Sequence, residues 1–434
     1  MQFLKHSLAC GAAIAALSSP VLAHDHQTSR GRLVFADHAQ PKVYVLDLDS
    51  GEVTDSFDVP RANPSFSATE NGRYVVITTG EPGIVKFLDT GLSFESHDDH
   101  MDIDKGKVRM LDFTLSGDKP SHVVSENGWV AVAFDGVKPW ERASDPKAVF
   151  IKLDSLSKAK PVTKTWKSPA PQHGIAVPLG GDRFLVSTPN EAYAKGDQSA
   201  SSRSNGFEIL DGKSWKVTAS FNDLSDAARS CKAYHGHGSS NGVHVFGCAE
   251  GVKDDPKSGG MLALVKQGKN AWQARRIAYA DERRTSTIKG RDEGSFMVGN
   301  YGSKSPYDAL VRIDPKKNAL TSADVLPLPG GQAVCKFELS QSGRHVASLT
   351  ADGKLRVFEI APAWKEVASF DAVPAFDCAY GARTPTPSLA VIGDNAFVSD
   401  PVNKRIREYS FTNLKQGLDI PVDAVPANIA PGKP

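Results

Sequence analysis

The chain has 434 residues, 51 Lys and Arg against 50 Asp and Glu, a formal net charge of +1 and 40% hydrophobic residues. With the cations dispersed among equal numbers of acids, this balance excludes the concentrated basic face of a nucleic-acid binder. After the N-terminus no segment approaches the roughly 18 apolar residues of a membrane span, and the length suits several small domains or one large repeat fold.

Lys5 followed by the apolar stretch Leu8 to Leu22, ending in Val21-Leu22-Ala23, predicts a signal peptide over 1–23 and export to the periplasm. Cys10 precedes most of that apolar region, so lipidation is not expected. Residues 24–31 read as a flexible arm carrying His24 and His26, with His38 further on. A free amine followed by a third-position histidine can chelate copper(II) or nickel(II), and the same arm could equally hold zinc weakly. Residues 32–434 read as a single domain.

From Arg32 onward short alternating apolar runs recur between Gly, Asn, Asp and Pro, which predicts an all-β chain. Arg32 to Val59 shows the unit: Arg-Leu-Val-Phe-Ala, then Lys-Val-Tyr-Val-Leu-Asp-Leu, an Asp-Ser-Gly-Glu turn, and Val-Thr-Asp-Ser-Phe-Asp-Val. Each later unit opens with an apolar segment running into a turn glycine. These segments are Pro64–Gly72, Pro120–Gly128, Gln172–Gly180, Tyr234–Gly242, Lys289–Gly294, Lys336–Gly343 and Pro387–Gly393. A recurrence of roughly 40 to 60 residues fits four-stranded propeller blades, which leave only short edges. The N-terminal unit lacks a first strand, and Val425–Pro431 looks like a spare one. An eight-bladed propeller is predicted, closed by the tail joining the N-terminal blade, with seven blades as the alternative and a monomer expected.

Four cysteines follow the predicted cleavage point, and in an exported chain they suggest disulfides, Cys231 with Cys248 and Cys335 with Cys378. Cys231 and Cys248 flank an apparent hairpin with its turn near Ser240-Asn241-Gly242.

Three histidines share a repeat position. His122, His173 and His235 each lie six or seven residues before the turn glycine of consecutive units, where two other units carry Phe66 and Phe337. In a propeller the first strand of each blade lines the central channel, so these imidazoles should converge into a zinc site completed by a fourth donor. The acidic, His-bearing segment His97-Asp-Asp-His100-Met-Asp102-Ile-Asp104, read as a loop between blades, offers His100 first, then Asp102 and His97. His237, two residues beyond His235, could replace it or support it. His244 and His345 read as structural. His-Glu-x-x-His and Cys-x-x-Cys-His do not occur, so no zincin or haem-attachment motif marks an enzyme.

The segments Asp99-His100-Met-Asp102, Leu111-Asp-Phe-Thr-Leu, Lys119-Pro-Ser-His122-Val-Val, Pro171-Gln-His173-Gly-Ile-Ala-Val-Pro-Leu, Tyr234-His235-Gly-His237 and Gly247-Cys-Ala-Glu-Gly251 resemble the periplasmic zinc-chaperone propellers of the AztD family. The resemblance implies a β-propeller that binds Zn(II) and transfers it directly to the solute-binding protein of a zinc ABC transporter. It implies ligand roles for His100, His122, His173 and His235, and a second zinc site in flexible segments, with His24, His26 and His97 as candidates. The alternative is a metal-dependent propeller hydrolase or lactonase, since the repeat near Tyr44 also resembles lactonase units.

Overall fold

A continuous apolar run, as in Arg32–Asp37, gives a strand whose two faces both need cover. Leu33 and Phe35 pack towards one neighbouring sheet while Val34 and Ala36 pack towards the other. A computed structural model describes residues 29–96, 101–252, 255–268, 271–292, 294–382 and 384–432. The predicted signal peptide, most of the arm with His24 and His26, and His97 and His100 lie outside the described residues.

Eight four-stranded antiparallel sheets succeed one another. Blade 1 comprises Arg32–Asp37, Lys42–Asp47 and Glu52–Asp58, with the C-terminal strand Pro426–Gly432 as its innermost member. Blades 2 to 8 begin with the inner strands Ser65–Ala68, Pro120–Glu126, Ala176–Gly180, His237–Ser240, Ile288–Lys289, Val334–Leu339 and Leu389–Ile392. The ring is closed as predicted, with Leu33 opposite Pro431 and Val34 opposite Ala430. Eight buried apolar clusters fill the eight seams between neighbouring blades. At roughly 1.5–3 kcal/mol for each fully buried large apolar side chain, these seams supply the driving force that fixes each blade against the next. Fourth strands such as Glu52–Asp58 and Thr163–Lys167 face solvent on one side and alternate accordingly.

One expectation is corrected. The acidic segment does not separate two blades: Leu92–Ser96 and Met101–Lys105 pair as a hairpin between the third strand of blade 2, Ile84–Asp89, and its fourth, Arg109–Ser116. Asp102 therefore sits in a strand opposite Glu95 rather than in a loop. The reason is visible in Leu-Ser-Phe-Glu and Met-Asp-Ile-Asp, which alternate with period two. At the hairpin base a Cβ on Gly91, whose φ is +73°, would lie 2.5 Å from the Gly106 carbonyl oxygen, so only glycine lets the strands meet there. Lys105 ties the hairpin to blade 1 through Asp47 at 2.7 Å, and Arg32 donates to the Gly106 carbonyl at 2.9 Å.

Candidate metal centre

His122 lies where the register of Pro120–Glu126 against its neighbour slips between Pro120 and Val123. Such a bulge re-aims a side chain that regular pleating would direct into the seam. His173 and His235 sit just before the inner strands of blades 4 and 5, each fixed by its own backbone. His173 N–H donates to the Ser202 carbonyl at 2.7 Å, and His235 N–H donates to the Gly247 carbonyl at 2.9 Å. The shared repeat position is thus approximate, because only His122 lies within an inner strand.

The three rings converge. Their centroids are 4.8 Å (His122 to His173), 5.5 Å (His173 to His235) and 6.1 Å (His122 to His235) apart. His173 Nδ1–H donates to Asp135 Oδ2 at 2.7 Å, and Asp135, 5% exposed, is held from its other oxygen by the Ser121 hydroxyl. His235 Nδ1–H donates to the Ser286 carbonyl at 2.7 Å. Gly236 makes that approach possible, since a Cβ there would fall 2.8 Å from the Ser286 carbonyl group. Both bonds place the ring proton on Nδ1 and leave Nε2 with a lone pair, an arrangement that orients metal-binding histidines.

His122 Nε2 faces His173 Nε2 at 3.3 Å. At that distance one nitrogen donates a proton to the other, or a cation lies between the two lone pairs. Two nitrogens bound tetrahedrally at 2.0–2.1 Å stand about 3.3 Å apart, so the spacing fits zinc. Burial, reinforced by His173, lowers His122 to about 4; burial, reinforced by Arg203, lowers His235 to about 3. Both rings are neutral at neutral pH and available as donors.

A second group lies beside the first. Glu126, His237 and His244 bring potential ligand atoms within 4.8 Å of one another. His237 Nε2 is 3.2 Å from His244 Nδ1, which is 3.6 Å from Glu126 Oε2, while Glu126 Oε1 accepts from the Ser239 hydroxyl at 2.8 Å. Burial lowers His244 to about 4, holds His237 well below the usual histidine range, and pushes the Glu126 carboxyl up to about 7. A cavity of about 490 Å³ touches both groups through His122, Glu126, His235 and His237.

His122, His173 and His235 are therefore brought together, whereas His237 turns to His244 instead of joining them. His244, read as structural from sequence, is the residue that reading missed. The signal was present: a hairpin about Asn241-Gly242 pairs His237 with Phe246 and Ser239 with His244, which puts both histidines on one face. The contribution of Glu126, from two blades away, had no local signal. Both predicted disulfides are formed, and Cys231–Cys248 pins the segment carrying His235 to the strand Val243–Val252.

No protein-family model matches the chain. The zinc chaperone AztD of Citrobacter koseri is 28% identical over 410 residues, spanning 93% of this chain and 87% of that protein. The crystal structure of C. koseri AztD superposes with a TM-score of 0.75 at 25% identity, covering 92% of this chain and 96% of that one. The structure of apo AztD from the same organism gives 0.72 at 27% identity, with the same coverage of each. Matched in sequence and in fold along nearly its whole length, the chain is similar to the zinc chaperone AztD.

Proposed function

We propose that this protein is a periplasmic zinc chaperone that carries Zn(II) at the channel mouth and passes it to the solute-binding protein of a zinc ABC transporter. The observation that carries the reading is the convergence of three imidazoles from consecutive blades, two of them with Nδ1 locked by a hydrogen bond so that Nε2 turns inward. In this reading His122, His173 and His235 hold the ion, and the segment with His97, His100 and Asp102 supplies the fourth donor. The arm with His24 and His26 forms a weaker capture site. Zinc is cargo here, so the site must release it. An exchangeable fourth donor beside an accessible cavity permits stepwise exchange, in contrast to the closed sphere of a structural zinc. Similarity to a protein named as a zinc chaperone, together with two disulfides suited to an oxidising compartment, supports the assignment.

The test is direct. Zinc-loaded protein is mixed with the apo solute-binding protein of the cognate transporter, the two are separated, and the metal in each is measured with a chelator present to trap free ions. Zinc should arrive on the binding protein despite the chelator. Zinc that stays bound while the protein hydrolyses lactones would replace the chaperone reading with the hydrolase one.

A further inference from the structure

We propose that Arg203 and Arg284 form an oxyanion-binding site at the rim of the channel mouth, beside the three-histidine cluster. Arg203 stands between Arg183–Ser187 and Phe207–Asp211, the second and third strands of blade 4, and Arg284 in the connection leading from blade 5 into Ile288–Lys289. Both are fixed by backbone that also fixes the histidines. Arg203 bridges His173 and follows Ser202, whose carbonyl accepts the His173 N–H at 2.7 Å. Arg284 exchanges two backbone hydrogen bonds with Gly302, both 3.1 Å long, and lies two residues before Ser286, whose carbonyl holds the His235 ring.

What points to a ligand is a pair of cations with nothing to neutralise them. Arg284 is 7% exposed, and its Nε–H is buried without an acceptor. Among the described residues neither guanidinium makes a hydrogen bond or an ion pair. The Tyr307 ring lies 5.8 Å from the Arg284 guanidinium, a contact that satisfies none of its N–H donors. Burial, and then the adjacent Arg284 charge, push Arg203 down from its ordinary value, so the two cations are close together and partly dry. A guanidinium does not escape by losing its proton. The carboxylates nearby are already taken: Asp135 by Ser121 and His173, and Asp281 by Arg283 at 2.7 Å and the Tyr301 hydroxyl at 2.9 Å. Two buried like charges without a counter-ion are costly, and an oxyanion that accepts from both planar forks removes that cost.

The oxyanion has two sources, a free inorganic anion or the carboxylate side chain of a protein docked on this face. In either case it offsets positive charge beside His235, which feels Arg203. An anion here and zinc in the cluster therefore strengthen each other's binding by the same factor. That coupling rests on reading the three-histidine cluster as a zinc site, whereas anion binding does not.

The zinc-free full chain is melted in Tris buffer of constant ionic strength with increasing sodium sulfate or sodium succinate, for the wild type, Arg203→Gln and Arg284→Gln. The wild type should gain melting temperature saturably with one or both anions, and each substitution should raise the half-saturating concentration by about 10-fold or more. Should Arg284→Gln not fold, Arg203→Gln, whose side chain is half-buried, carries the test. Tighter binding of sulfate assigns a free inorganic anion; tighter binding of succinate, with succinate displacing a docked solute-binding protein from the wild type, assigns a side-chain carboxylate. No saturable gain in the wild type, or the same gain in the variants, would overturn the oxyanion site and leave the chaperone reading standing. A saturable, arginine-dependent gain in a chain that binds no zinc would keep the oxyanion site and remove the zinc cluster.

Discussion

At the scale of single residues, binding depends on which ring nitrogen carries the proton. Asp135 and the Ser286 carbonyl each take an Nδ1–H, and the free Nε2 atoms turn inward as a result. Asp135 is the more informative partner because it is charged, buried and itself held by Ser121. Asp135→Asn preserves shape but removes the charge that fixes His173, and partners of this kind are worth about 10- to 100-fold in metal affinity. Competition against a chromophoric chelator should show a weakening in that range with an unchanged melting curve. Unaltered affinity would mean that His173 does not bind the ion. Residue-scale legibility was uneven: repeat register alone found His122, His173 and His235, but Asp135 and Glu126 reach the histidines only through folding.

At the scale of elements, each of the three clustered histidines rides on a short irregularity rather than on a regular strand. His122 occupies a bulge, His173 the approach to blade 4, and His235 a segment clamped by Cys231–Cys248. The two disulfides should therefore behave differently. Each is expected to contribute about 2–4 kcal/mol, Cys335–Cys378 closing the longer loop with a separation of 43 residues against 17. Replacing either pair by serine should lower the melting temperature, but only Cys231→Ser with Cys248→Ser should also weaken zinc binding. Equal zinc affinity in both double variants would show that the His235 segment is held without its clamp. The hairpin at Leu92–Ser96 and Met101–Lys105 shows where pattern reading stops. Its period-two alternation was available, but its acidic charge suggested a loop, and its insertion within blade 2 emerges only from pairing.

At the scale of the whole molecule, the propeller was legible because every blade obeys the same alternation and the unpaired first unit needed a strand that the tail could give. The seams repeat around the ring, so the inner strands are held at comparable depth and residues from distant parts of the sequence share one channel. Cys231 and Tyr234 belong to the same buried cluster as Phe207 and Phe246, which joins the base of the His235 segment to the packing between blades 4 and 5. Architecture and binding site are thus coupled in one direction: the ring creates the site, but removing a ligand should leave the ring intact. The central claim is most directly tested by competitive zinc titration of His122→Ala and His173→Ala beside the wild type, with a melting curve for each. Either substitution should weaken the tight binding event by more than about 100-fold, beyond the loss of a supporting partner, while the β-rich fold melts as before. Unchanged titrations in both variants would contradict the account.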